Sequence, residues 1–240
     1  MHEGIHAGCL GESALEPGQS RILNRIRWPL LHPLRRLTRV FIVIGVALAT
    51  GYFQPPGLGA ADFARMQSAL VARFGAAAEP AFTEWRKLLA STQQVTADNA
   101  IVRVNDFFNR RIRYQDDRQV WGEEDYWATP MDTLGRGAGD CEDFAIAKYY
   151  SLLLSGVQNE KLRLVYVKAS MPGPGGAVAS VPHMVLAYYP APDADPLILD
   201  NLNQNILPAR SRTDLVPVFT FNSQGVYAPG TSAAASTTRY

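Results

Sequence analysis

The chain has 240 residues, 47% hydrophobic and 19% charged, with a formal net charge of +1. That composition is globular with room for one good core, and it excludes nucleic-acid binding through bulk charge. The charge is uneven, because six arginines (Arg21, Arg25, Arg27, Arg35, Arg36, Arg39) face three glutamates in residues 1–49, leaving 17 bases and 19 acids beyond them.

Those arginines lead into the apolar run VFIVIGVALAT at residues 40–50, which contains ALA at 47–49. A basic stretch, a short apolar run and small residues match a secretory signal peptide. The run falls short of the ~20 residues that a membrane span needs, although an uncleaved anchor is the alternative. We expect residues 1–49 to act as this leader, residues 50–60 to be a linker, 61–227 the domain, and 228–240 a disordered tail low in large apolar groups. Removal of the leader takes away Cys9, His2, His6 and His32, so the mature chain keeps one cysteine, Cys141, and one histidine, His183. A single cysteine cannot form an internal disulfide in an oxidising compartment, and one Cys with one His cannot make a zinc site.

After the leader, apolar residues at helical spacing predict helices over 61–74, 80–90 and 97–113. In the third, Ile101, Val104, Phe107 and Phe108 form one stripe. Residues 114–137 are turn-rich and read as an ordered loop holding Trp121, Tyr126 and Trp127. The strongest helix signal covers 140–155, with Asp140 as N-cap, Asp143 in a capping-box-like position and Gly156 after the end. Strands are expected at 162–169, 183–189 and 196–200, each rich in Val, Ile, Leu or Tyr and bounded by turn formers. The sum is one α+β domain, helices first and an antiparallel sheet after.

Three residues sit at element ends where chemistry could use them. Cys141 lies in the first turn of the fourth helix, where outward N–H groups and the macrodipole favour a thiolate. His183 opens the second strand and Asp200 closes the third, so antiparallel pairing brings them together at the sheet edge. A helix N-terminus packed there would complete a Cys–His–Asp arrangement. A buried structural cysteine and a core histidine are the alternative.

The segments WATPMDTLGRGAGDCEDFAIAKYYSLLLSGV, HMVLAYY and LILDNLN, in that order, resemble the bacterial transglutaminase-like cysteine proteinases of the periplasmic LapG type. The resemblance covers roughly residues 60–225. It implies a papain-like/transglutaminase-core fold with Cys141 as nucleophile, His183 as base and Asp200 as orienter. It further implies a calcium-dependent protease that releases a large surface adhesin by cutting near its N-terminus at a paired-alanine site. The implied partner is the periplasmic domain of an inner-membrane cyclic-di-GMP receptor, which sequesters the enzyme.

Three acids, Asp140, Glu142 and Asp143, flank the cysteine. They would raise its pKa, whereas a hard divalent cation held by their oxygens reverses the local field. The family's calcium dependence makes Asp140 and Glu142 the foremost carried-over ligands, followed by Asp143; acids simply favouring a helix start are the alternative. The Cys141 N–H is the natural first oxyanion donor, and Trp121, Tyr126 and Trp127 are candidates for the second or for a receptor anchor. Competing functions are a transglutaminase-type acyl transferase, a non-catalytic calcium-binding docking module and a cell-wall peptidase.

Overall fold

The structure is a computed structural model that describes residues 59–228. The expected leader with Cys9, the linker up to Leu58, and the tail beyond Ala228 lie outside the described residues.

Helix α1 (Ala60–Phe74) ends at Gly75, whose φ of 82° is the left-handed conformation that glycine adopts without strain. α2 (Glu79–Thr92) has proline in its first turn, and α3 (Ala97–Arg111) is capped by Thr96, whose side chain accepts the Asn99 N–H. The expected stripe on α3 is buried at Ile101, Val104 and Phe108 and half-buried at Phe107. Trp85 of α2 is fully buried, and its indole N–H donates to Ser151 Oγ at 2.8 Å. This bond fixes α2 to α6 (Cys141–Leu154).

The segment expected to be a loop is more regular. It holds α4 (Asp117–Val120) and α5 (Pro130–Arg136), while β1 (Arg113–Tyr114) pairs in parallel with β2 (Ala138–Gly139). Thr129 and Asp132 form a reciprocal capping box around Pro130 at the start of α5. That signal is in the sequence, but α5 is only seven residues long and too short to show periodicity.

Among the described residues the sheet has six antiparallel strands rather than three, in the order β6-β5-β4-β3-β7-β8. They are β3 (Leu162–Pro172), β4 (Val178–Tyr188), β5 (Leu197–Leu199), β6 (Leu207–Pro208), β7 (Leu215–Asn222) and β8 (Gly225–Tyr227). β4 starts five residues before the expected His183 and passes through Pro182. Proline fits there because that part of β4 pairs only with β3, leaving one side without a ladder partner. Pro217 of β7 sits where the pairing with β3 shifts register, the other place a strand tolerates proline. α6 packs across β4 and β3 and against α3, and the residues of its first turn are buried.

Candidate active site

Cys141 is the first residue of α6 and is 1% exposed. The turn before it is tight: a Cβ on Gly139 would come within 2.5 Å of the Asp143 carboxylate, so only glycine lets β2 approach the helix. Asp140 has the extended backbone of an N-cap (φ −102°, ψ −162°) but makes no side-chain capping hydrogen bond, contrary to expectation. Its carboxylate is engaged elsewhere, in a group of buried acids.

One carboxylate oxygen from each of Asp117, Asp140 and Glu142 lies within 4.8 Å of the others. Asp117 Oδ1, Asp140 Oδ1 and Glu142 Oε1 are buried without a hydrogen-bond partner, and so is Asp143 Oδ2. Asp143 Oδ1 accepts the Ala128 N–H at 2.8 Å, and Asp117 Oδ2 accepts the Tyr126 N–H. Glu142 Oε2 lies 3.1 Å from Cys141 Sγ. Burial, reinforced by Asp143 and Asp117, pushes Asp140 up to about 9, and burial with Asp140 beside it raises Glu142 well above the usual range. Burial also lifts Asp143 to about 8 and Asp117 to about 6, each against a lowering backbone hydrogen bond. Packed carboxyls with orphaned oxygens need either protons or a cation, and an all-oxygen set fits a hard divalent ion. Asp117 was not among the sequence candidates. It lies far upstream in a short element without periodicity, and only the fold brings it to Asp140.

His183 and Asp200 meet as the strand pairing implies. His183 Nε2 and Asp200 Oδ1 are 2.8 Å apart, and both residues are 1% exposed. The pair lies where β5 stops beside the inner strand β4, not on an outer edge of the sheet. Asp200 Oδ1 also accepts the Leu202 N–H at 3.0 Å, and Asn109 Nδ2 of α3 donates to the Asp200 carbonyl at 2.8 Å. Burial alone would raise the Asp200 carboxyl, but His183, the Leu202 N–H and Arg212 hold it down at about 2. Cys141 thus heads the helix that packs on β4, the strand that carries His183.

The aromatic residues of the former loop are half-buried. Trp127 stacks on Phe221 with centroids 6.0 Å apart and donates its indole N–H to Asp125 at 3.0 Å. Trp121 packs on Tyr126 with centroids 4.5 Å apart, beneath the Arg136 guanidinium. The Tyr126 hydroxyl stands between Arg73 and Asp132.

Residues 79–215 match the family model described as bacterial transglutaminase-like cysteine proteinase, and Cys141, His183 and Asp200 all fall inside that match. Calcium-bound LapG of Legionella pneumophila is 34% identical, with a TM-score of 0.63 over 73% of this chain and 92% of that one. The chain belongs to the bacterial transglutaminase-like cysteine proteinase family. EGTA-treated LapG from the same organism is 35% identical, with a TM-score of 0.61 over 71% of this chain and 87% of that one. Comparison with the curated proteins produces no match. The likeness confirms the papain-like, transglutaminase-like α+β fold expected from the sequence.

Proposed function

We propose that this cysteine proteinase is a calcium-dependent periplasmic endopeptidase that releases a large cell-surface adhesin by cutting near its N-terminus, promoting biofilm dispersal. The observation that carries the reading is the buried His183–Asp200 pair, with His183 on the strand packed against the Cys141 helix. His183 presents Nε2 to Asp200, so Nδ1 is the nitrogen that exchanges a proton with the thiol. Asp200 fixes the ring and stabilises the imidazolium.

The Cys141 sulfur attacks the scissile carbonyl, and its proton passes to His183. The oxyanion faces the N–H of Cys141 at the helix start. Collapse expels the amine, which leaves with the proton from His183, and a thioester to Cys141 remains. Water, deprotonated by His183, then cleaves the thioester and restores the thiol.

Asp117, Asp140 and Glu142 would hold the calcium, with Asp143 Oδ2 beside them. The bound ion supplies positive charge that offsets the acids next to the nucleophile. The calcium-bound Legionella relative supports this assignment. The partner that holds the enzyme in check would be the periplasmic domain of an inner-membrane cyclic-di-GMP receptor. Among the described residues no helix is long and apolar enough to cross a membrane.

The test is incubation of the protein with candidate surface adhesins, with and without a calcium chelator. Cleavage that stops on chelation is the expected result; cleavage indifferent to the chelator removes calcium from the account.

A further inference from the structure

Arg212 lies between β6 and β7, in a stretch the sequence pattern leaves unmarked, yet it is only 4% exposed. Its Nη2 donates to Asp200 Oδ2 at 2.7 Å, the oxygen that His183 does not use. The guanidinium is itself held by Asp214, with Nε to Oδ1 at 2.9 Å and Nη2 to Oδ2 at 2.7 Å. Asp214 is anchored in turn, since its carbonyl accepts the Ser170 N–H of β3 at 2.8 Å. The Arg212 N–H bonds the Ala209 carbonyl, and its own carbonyl takes the Leu215 N–H at the start of β7. A continuous chain of bonds therefore runs from the sheet through Asp214 and Arg212 to Asp200.

Its effect on Asp200 is mechanical and electrostatic. With only His183 and the Leu202 N–H on Oδ1, the carboxylate could pivot about that oxygen. The bond to Oδ2 fixes its plane, and with it the direction of the imidazole. A planar fork that grips one carboxylate while donating to another is a geometry lysine cannot reproduce. Among the described residues Lys148 of α6 also faces Asp200; it is fully buried, and its Nζ has no hydrogen-bond partner there. Burial pulls Lys148 down to about 7, so its charge is not a constant support, whereas that of arginine is.

We propose that Arg212 is a positioning residue of this active site, holding Asp200, and through it His183, in the orientation that serves Cys141. The proposal rests on the protease reading above and adds to it a residue outside the triad.

The test is the pH dependence of Cys141 alkylation by iodoacetamide, measured on the reduced full chain with calcium present. Mass spectrometry of the Cys141 peptide keeps Cys9 from interfering, and no substrate need be known. Arg212→Gln should lower the plateau rate about tenfold or more and move the low-pH limb up by about one unit. Asp200→Asn should lower the rate similarly, and the double variant should lose no more than the worse single, because the two act in series. Arg212→Lys should keep the limb near its wild-type position and recover part of the rate. A folded Arg212→Gln protein with the wild-type profile overturns the proposal, as do losses that add in the double variant. If Arg212→Gln does not fold, a folded Arg212→Lys protein with the full wild-type rate overturns it equally. Failure of the protease reading looks different, because His183→Ala would then leave alkylation unchanged.

Discussion

A carboxylate 3.1 Å from the sulfur proposed to attack the substrate would oppose formation of its thiolate, and that is where Glu142 stands. Glu142→Gln keeps the side chain's shape and removes one charge, so calorimetry should show calcium affinity falling about tenfold or more, near 1.4 kcal/mol. Excess calcium should restore much of the activity. Asp117→Asn should weaken calcium in the same way, which separates a cluster assembled by the fold from acids that merely start a helix. Cys141→Ala and His183→Ala should each abolish turnover with the fold intact by circular dichroism, and Asp200→Asn should leave a weak remnant. At this scale the sequence marks Cys141 and Asp200 because each lies at an element end, and it marks Cys141 and His183 because each is alone of its kind beyond the leader; His183 itself stands mid-way along β4 rather than at its start. Asp117, Asn109 and Arg212 carry no such mark. Each acts through a neighbour distant in sequence, which only tertiary structure supplies.

Among the elements, the junction of β2 and α6 is where packing and chemistry meet. Gly139→Ala would drive a methyl group into Asp143 and loosen its hold on the Ala128 N–H. We expect a loss of about 1–3 kcal/mol in denaturant unfolding, together with weaker calcium binding. Four of the helices were legible because their apolar periodicity spans several turns. α4 and α5 are too short for that, and the Thr129–Asp132 capping box is the single local sign of α5. The strands beyond β5 carry no clear sequence signal for a related reason. β6 is two residues long, and Pro217 inside β7 reads as a breaker until the register shift beside it is seen. The meeting of His183 with Asp200 did follow from sequence, because adjacent antiparallel strands admit few alternatives.

For the whole molecule, the acid cluster and Asp200 pull stability in opposite directions as pH changes. Asp117 at about 6, Asp143 at about 8 and Asp140 at about 9 keep protons in the fold that the unfolded chain has released. The metal-free protein should therefore lose stability as pH rises from about 4 to about 9. Calcium binds the deprotonated acids, so it should raise the melting temperature more at pH 8 than at pH 5. Asp200, held at about 2, contributes stability above about pH 4 that disappears as pH falls toward 2, roughly 2 kcal/mol in all. Thermal melts across pH, with calcium or with chelator, check both slopes. Hydrolysis through Cys141 is tested by the mass of the products from a cleaved adhesin. Wild-type protein with calcium should yield two fragments whose masses together equal the substrate plus one water, while Cys141→Ala yields none. Crosslinked products of raised mass, or fragments from the Cys141→Ala protein, would contradict it.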